Sequence, residues 1–407
     1  MSDGSVAASP QRTPALARQL NDRAALDLLA LRGPLSRTEL REQLGISQPT
    51  VVELVKRLES AGHVQAVGEE RQSRLGPKAT LYGLVRGVNF VVGANVRDNR
   101  VCAVVGDLMG GPALQLVDRP CDGTPLPEQV AEVVFSVLSQ AGVPARSVQR
   151  TVLGVPGVVT AATGDLGFSW DLPHLQGRFL APLQELLSAP VQLFNGVQLA
   201  AFAESASPGR HVPATFALLW MGTGVGACLM VDGKPLKGAS GAAGQIGYTP
   251  VPGSPVPSVR PQPGGFEGDL QASIGEQGLR ALAQDMGLAG HSPSSLLELA
   301  AQASGAAEQQ YADEVARRIA VACASIASVV DPGLFILQGP TALGGGDDLA
   351  ARVGRAFATM SPFDATVVAG QAHELIELEG ALELGRSLAR EDLWGGAVAE
   401  PNLPRRP

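Results

Sequence analysis

The chain of 407 residues carries a formal net charge of −8, and 45% of its residues are hydrophobic, 17% charged and 4% aromatic. This length exceeds what one hydrophobic core usually organises, so we expect two or three domains. No run approaches the roughly 18 apolar residues of a membrane span, and the segment from Met1 to Pro14 lacks the apolar core of a signal peptide. We therefore expect a cytoplasmic protein with no membrane partner.

The cysteines and the charge distribution narrow the kinds of partner. The four cysteines stand at positions 102, 121, 228 and 323 without a C-x-x-C pair, which predicts buried free thiols rather than a disulfide or a cysteine zinc site. The first 80 residues hold 11 basic and 9 acidic residues, whereas the remainder holds 20 and 30. This asymmetry favours nucleic acid as a partner of the N-terminal part.

A pair of short, capped helices is predicted near the N-terminus. Ser36 with Glu39 forms a capping box that opens one helix, Gly45 ends it, and Ser47 caps the next, which closes at Gly62. The apolar positions of that second helix are Val51, Val52, Val55 and Leu58. A preceding helix has one apolar stripe, at Leu16, Leu20, Ala24, Leu28 and Leu31. This order is typical of a helix-turn-helix, whose second helix enters the major groove.

Polar residues on this helix pair and on the segment after it are the predicted DNA contacts. Strand-like segments at 64–67 and 79–84 bracket the basic segment 68–78, which predicts a wing that reaches phosphate or a minor groove. The candidate DNA-binding residues are Arg37, Ser47, Gln48, Thr50, Glu53, Lys56, Arg57, Arg71, Arg74 and Lys78. A helical dimerisation or adaptor module is the alternative interpretation of the same pattern.

Beyond about residue 83 the pattern indicates an α/β body. Apolar runs at 90–93, 101–105, 152–155 and 191–194 predict buried strands, and 127–141 and 180–187 predict helices between them. Glycine-rich loops occur at 154–157, 222–226 and 238–244. Glycines let backbone N–H groups approach an anion or a sugar closely, but they serve ordinary turns equally well. The order and spacing of the loops therefore carry more information than any one of them.

Taken in order, these motifs resemble the ROK family of repressors, open reading frames and sugar kinases. The matching segments are Ser36-Arg37-Thr38-Glu39-Leu40, Ser47-x-x-Thr50-Val51, Gly154-Val155-Pro156-Gly157, Gly222-Thr223-Gly224-Val225-Gly226 and residues 238–247. The resemblance covers about residues 15–390, and the helix-turn-helix is similar to that of the repressor branch. It implies a winged helix-turn-helix followed by a two-lobed, actin-like ATPase body of ribonuclease H-like α/β fold, with a sugar cleft between the lobes.

The resemblance also implies that kinase chemistry is lost. In the family's kinases an Asn-Asp pair ends a strand, and its Asp is the general base of phosphoryl transfer, whereas this chain has Asn195-Gly196. Glycine offers no proton acceptor in its side chain. The phosphate-binding opening corresponds to residues 95–99, which lack the paired glycines. We therefore expect no enzyme activity and no cofactor.

The family's zinc and sugar residues are altered as well. The places of its zinc-binding His and three Cys read Tyr248, Arg260, Gln262 and Glu267, so no metal is expected. The places of its sugar contacts give the effector-binding candidates Asn195, Gln245, Tyr248 and Asp269. Their amide, phenol and carboxyl groups can still bind hydroxyls. A cleft kept only as scaffold is the alternative.

The expected domain organisation has disordered tails at 1–14 and 391–407. Between them lie a winged helix-turn-helix at 15–82 and a ROK body at 83–390, with lobe I at about 83–195 plus 371–390 and lobe II at about 196–370. The expected function is transcriptional regulation, as a repressor of carbohydrate genes that binds double-stranded operator DNA as a homodimer or homotetramer and responds to a sugar effector. The alternatives are a sugar-independent architectural DNA-binding protein and an active sugar kinase with a fused DNA-binding module.

Overall fold

The computed structural model describes residues 14–69, 79–97, 99–207, 209–255, 268–303, 305–373 and 375–394. Several predictions fall outside these ranges. They are most of both tails, the wing residues Arg71, Arg74 and Lys78, and the zinc-equivalent places Arg260, Gln262 and Glu267.

The N-terminal domain is a winged helix. Its elements are α1 (Pro14–Arg32), β1 (Leu35–Ser36), α2 (Arg37–Leu44), α3 (Gln48–Ser60), β2 (Val64–Glu69) and β3 (Thr80–Leu84). The strands form an antiparallel sheet in the order β1-β3-β2. Ser36 and Glu39 form the predicted capping box at the start of α2, and Ser47 caps α3 as predicted. Gly45 ends α2 in the left-handed conformation, which glycine adopts without steric cost.

The predicted apolar stripe of α1 is wrong in register. Leu31 is 80% exposed, whereas Ala25, Leu26 and Leu29 are buried against α2 and α3. The helix also packs against the last described helix, at residues 376–394, so its buried face is set by these tertiary neighbours rather than by the regular spacing of leucines. In α3 the predicted core is confirmed at Val51, Val55 and Leu58, whereas Val52 is half-buried. Leu54 joins this core with no exposed surface.

Lobe I is built on a mixed sheet in the order β10-β7-β4-β5-β6. β4 runs parallel to β7, and β7 parallel to β10, while β5 and β6 are antiparallel to their neighbours. A core of valines and leucines lies between this sheet and two helices, α4 and α5. The elements are β4 (Phe90–Arg97), β5 (Arg100–Asp107), β6 (Gln115–Pro120), α4 (Leu126–Ala141), β7 (Val148–Val155), β8 (Val158–Val159), β9 (Leu166–Phe168), α5 (Leu180–Leu186) and β10 (Val191–Asn195).

Lobe II has a second mixed sheet, in the order β13-β12-β11-β14-β15, with its core against a group of helices. Its strands are β11 (Phe216–Met221), β12 (Val225–Val231), β13 (Lys234–Pro235), β14 (Leu334–Gln338) and β15 (Thr366–Ala369). Its helices are α6 (Gly196–Ala206), α7 (Leu270–Ile274), α8 (Glu276–Asp285), α9 (Pro293–Ala301), α10 (Ala306–Val330) and α11 (Pro340–Met360). Short 3₁₀ turns occur at Ala145–Ser147, Pro173–Leu175 and Ile246–Tyr248.

The last helix, α12 (Ile376–Trp394), returns to lobe I and packs on β4, β7 and α6. Two glycines permit this close approach. A Cβ at Gly93 would lie 3.1 Å from the carbonyl oxygen of Leu378, and a Cβ at Gly380 would lie 1.8 Å from the carbonyl oxygen of Leu199.

The predicted start of the C-terminal tail at residue 391 is corrected, because α12 continues through Trp394, whose indole is buried.

The C-terminal turn of α12 holds the winged helix against lobe I. Trp394 is 7% exposed and meets the ring of His63 edge-on, with the ring centroids 6.3 Å apart. Arg390 lies over the same indole at 5.8 Å and donates hydrogen bonds to the carbonyl oxygen of Leu108 in lobe I. Leu84, at the end of β3, belongs to the same apolar cluster. The two domains therefore share one continuous core.

Trp394→Ala should loosen this docking. Removing a buried indole costs about 3 kcal/mol or more, so we expect the free energy of unfolding to fall by about that amount. Chemical denaturation gives the change, and hydrogen exchange should localise it to α12 and to residues near His63. The matched control is Leu393→Ala, since Leu393 is 38% exposed and should lose little. Equal losses in both variants would contradict the proposed role of the indole.

The docking should also weaken in acid. Burial lowers the pKa of His63, and the charge of Asp22 opposes this more weakly. The unfolded chain therefore takes up a proton more readily than the folded protein, and the free energy of unfolding should fall as the pH drops below about 6.5. Denaturation across this range should show a smaller pH dependence in His63→Gln. His211→Gln, at an exposed histidine, should behave like wild type.

Candidate functional site

Helix α3 presents a polar face on the surface of the winged helix. Gln48, Glu53 and Lys56 are exposed on it. Ser47 and Thr50, at its start, are exposed too, but their hydroxyl oxygens lie 2.8 Å apart in a hydrogen bond, and Ser47 also accepts from the backbone N–H of Thr50. The first turn is thus locally fixed, and the exposed side chains of Gln48, Glu53 and Lys56 are positioned to meet a groove.

Arg57 does not belong to this exposed face. Its guanidinium donates to both carboxylate oxygens of Asp22 in α1, with Nε–Oδ2 at 2.8 Å and Nη2–Oδ1 at 2.5 Å. The hydrogen bond to Asp22 is the main cause of the raised pKa of Arg57. The guanidinium thus joins α3 to α1 while 40% of the side chain remains exposed, and the contact of Arg57 with DNA stays a prediction.

The side chain of Arg37 stacks on an aromatic ring. Its guanidinium carbon lies 4.9 Å from the centroid of the Tyr82 ring, which links α2 to β3. The part of the predicted interface on the wing lies outside the described residues.

A cleft of about 1020 Å³ separates the two lobes. It is lined where strands β4, β7 and β10 end in lobe I and where β11 turns into β12 in lobe II, at the predicted loop 222–226. The other two glycine-rich loops also reach it, through Gly157 and Gly244. Strand ends are where parallel α/β sheets bind ligands, so this is the natural place for a small molecule.

Three of the four predicted effector residues line the cleft. Asn195 caps α6 by accepting from the N–H of Val197, and its Nδ2 donates to the carbonyl oxygen of Gly157 at 2.5 Å. Gln245 and Tyr248 face it from lobe II, where the Tyr248 hydroxyl accepts a hydrogen bond from the Trp170 indole at 2.6 Å. This Trp–Tyr pair bridges the lobes, and sequence reasoning did not single out Trp170.

Asp269 is misplaced by the prediction. It is 2% exposed, caps α7 by accepting from the N–H of Ala272, and lines a separate cavity. Gln271, two residues later, reaches the cleft instead. Its Oε1 accepts a hydrogen bond from the N–H of Val225, and its Nε2 donates one to the carbonyl oxygen of Thr223. The preference of Asp for helix N-caps is the signal that distinguishes the two positions.

A buried carboxylate in the cleft was also missed. Glu377, in the first turn of α12, is 7% exposed and lines the cleft. Its Oε2 accepts from Nδ2 of Asn95 and, at 3.3 Å, from Nη1 of Arg97. Glu377 is 182 residues beyond Asn195 in sequence, and no local motif marks it.

The described residues contain no group of three or more His, Cys, Asp or Glu side chains suited to a metal ion. Arg260, Gln262 and Glu267, which stand at the places of the family's zinc-binding cysteines, lie outside the described residues. Cys228 and Cys323 are buried, and burial raises the pKa of each thiol to about 12. Cys102 and Cys121 are half-buried, which corrects the expectation that all four thiols are buried.

Within the described ranges, no helix is both long and apolar enough to cross a bilayer.

Comparison with known proteins places this architecture in a family. Residues 111–366, well over half of the chain, match the ROK family. The chain belongs to the ROK family. Residues 19–75 match the MarR family, which agrees with the winged helix described above.

Individual relatives include regulators and kinases. The xylose repressor of Caldicellulosiruptor bescii is 21% identical over 240 residues, which are 58% of this chain and 60% of the repressor, so the chain spans three-fifths of that relative. A crystal structure of a ROK family transcriptional regulator, homologous to the E. coli MLC protein, matches 93% of this chain and 98% of its own with a TM-score of 0.75 and 16% identity. The ROK hexokinase from Thermus thermophilus matches 74% and 99% with a TM-score of 0.62 and 24% identity.

These structures show a shared fold. The regulator's match extends into the winged helix, because residues 85–407 make up only about four-fifths of this chain. The predicted fold class, a winged helix-turn-helix followed by a two-lobed actin-like ROK body, is thereby confirmed.

Replacing Arg57 should distinguish its structural role from a DNA contact. Arg57→Ala leaves Asp22 without its partner and should lower the free energy of unfolding by about 1 kcal/mol, as expected for a partly exposed, two-point ion pair. Lys56→Ala, at the neighbouring exposed position, should leave it unchanged. Thermal denaturation of both variants checks this. A stable Arg57→Ala protein with selectively weakened DNA binding would instead support the prediction that Arg57 contacts DNA.

Proposed function

We propose that this chain is a DNA-binding transcriptional regulator, acting as a repressor at operator sites. The observation that carries the proposal is the exposed polar face of the doubly capped helix α3, joined to a ROK body by a shared core. The 21% identity to a xylose repressor and the shared fold with a ROK transcriptional regulator support it. We place the protein in the cytoplasm, where operator DNA is found.

The cleft favours ligand binding over phosphoryl transfer. Position 196, at the start of α6, has no side chain to act as a general base. The segment 95–99 lacks the paired glycines with which backbone would approach a triphosphate. We therefore propose that the body is not a kinase and needs no cofactor or metal.

The proposed effector is a sugar. Amides from Gln245 and Gln271 and the Trp170–Tyr248 pair provide polar and aromatic surface on both sides of the cleft. A sugar that favours one arrangement of the lobes would change how α12 presents the winged helix. In a homodimer, this would shift the two α3 helices away from half-sites about one helical turn apart.

A sugar-independent DNA-binding protein is the second candidate. It is favoured by Asn195, whose amide is already hydrogen bonded to backbone in two directions. The experiment below distinguishes the two candidates.

The decisive measurement is selection of genomic fragments by the purified protein at fixed salt, repeated with a panel of sugars. We expect a near-palindromic site that one sugar releases. A site that no sugar affects would support the second candidate, and the absence of any shared site would refute the regulator proposal.

Two variants test whether α3 reads the site. Gln48→Ala should reduce the preference for the selected site over random DNA by about 1–3 kcal/mol, since an amide contact to a base edge is lost. Lys56→Ala should weaken both kinds of DNA alike and lower the salt dependence by about one charge. The control is Lys234→Ala, at an exposed cation in lobe II. If all three variants behave alike, α3 does not lie in the groove.

A further inference from the structure

The interlobe cleft contains a charged group that neither the glycine loops nor the predicted effector residues supply. Asp171 and Glu276 also line the cleft, but Asp171 is exposed and Glu276 pairs with Arg280 at 2.6 Å. Among the described carboxylates of the cleft, Glu377 is the buried one. A buried carboxylate is costly unless donors surround it, so its surroundings show what holds it there.

The two carboxylate oxygens of Glu377 have different surroundings. Oε2 is held by the amide of Asn95 and the guanidinium of Arg97, both of which act as donors. Oε1 lies beside Gly196, at 2.3 Å from the place where a Cβ of that residue would stand. A side chain at position 196 and the present position of Glu377 therefore exclude each other.

This exclusion bears on why residue 196 is a glycine. Gly196 is the first residue of α6, directly after the N-cap Asn195, and its φ is not in the left-handed region. Backbone conformation therefore does not require glycine there. In this structure the carboxylate of Glu377 reaches from α12 to the end of β10 and occupies the place where a side chain at position 196 would begin.

We infer that Glu377 is the carboxylate by which the cleft recognises a neutral, polyhydroxylated ligand, in place of a side chain at position 196. This rests on the proposed sugar-effector function. Carboxylate oxygens accept hydrogen bonds from hydroxyl groups, and such charge-assisted bonds are stronger than neutral ones. A neutral ligand is favoured because the charge of Arg97 is already matched by Glu377.

The position of Glu377 also bears on the response. It stands in the first turn of α12, whereas Trp394 ends the same helix against the winged helix. At 1.5 Å per residue this 19-residue helix is about 28 Å long, and it is packed along its length against both lobes. A ligand that binds Glu377 thus contacts directly the element on which the DNA-binding domain is docked.

The test is a relocation of the carboxylate in the full chain. Titration calorimetry with D-xylose, D-glucose and N-acetyl-D-glucosamine first identifies a sugar that wild type binds. Glu377→Ala should weaken binding of that sugar by at least about tenfold, as should Gly196→Asp alone, because two carboxylates then compete for one space. The double variant Gly196→Asp with Glu377→Ala places a carboxylate beside the same space from α6 and should recover binding to within about tenfold of wild type.

Controls separate recognition from folding. Glu379→Ala, two positions along α12 at an exposed residue paired with His373, should bind the sugar as wild type does. Thermal denaturation of each variant shows whether it is folded, and DNA binding without sugar should persist.

The outcomes are distinguishable. Unchanged binding by Glu377→Ala would overturn this inference and leave the effector proposal intact. Loss in Glu377→Ala without recovery in the double variant would also overturn it, because Glu377 would then act through the packing of α12. Wild type that binds none of the three sugars would contradict the effector proposal and this inference together, while DNA binding would still be judged separately.

Discussion

The close contact of α12 with the backbones of β4 and α6 is the constraint on which the rest of the molecule depends. It exists because Gly93 and Gly380 leave no Cβ where the chains cross. With the helix seated this deeply, its first turn reaches the cleft and its last turn reaches the winged helix. A larger residue at either glycine would push the helix outward and separate features that are far apart in sequence.

Burial of charge follows from the same packing. Arg386, in the middle of α12, is 3% exposed, and its guanidinium donates to the carbonyl oxygens of Asp107 and Gly111 and pairs with Glu383. Arg390 repeats this pattern one turn later with Leu108. These bonds satisfy carbonyl groups at the end of β5 and in the turn that follows it. The helix is thus fixed to lobe I by hydrogen bonds as well as by apolar contact.

Local sequence signals predicted the fold well where short-range chemistry decides the structure. The capping box at Ser36, the cap at Ser47 and the apolar face of α3 are all properties of neighbouring residues. The stripe of α1 failed because part of its burial comes from contact with α12, which is more than 300 residues away. The predicted tail boundary at residue 391 failed for the same reason, since no residue near Trp394 in sequence indicates that the winged helix covers its indole.

The candidate site divides in the same way. Asn195 and Gln245 were found because they belong to contiguous motifs, whereas the occupied fork of Arg57 and the reach of Glu377 depend on contacts across 35 and 282 residues. Asp269 and Gln271 differ by two positions on one short helix, a distance that motif matching does not resolve but capping chemistry does.

The docking of His63 on Trp394 has a consequence for biosynthesis. About 330 residues separate these two side chains, so at 5–20 residues per second the winged helix leaves the ribosome roughly 15–70 s before its docking surface exists. During that interval the winged helix is tethered but not oriented. A nascent chain therefore cannot hold α3 in a fixed orientation relative to the two lobes, and the winged helix acquires that orientation only when translation of α12 is complete.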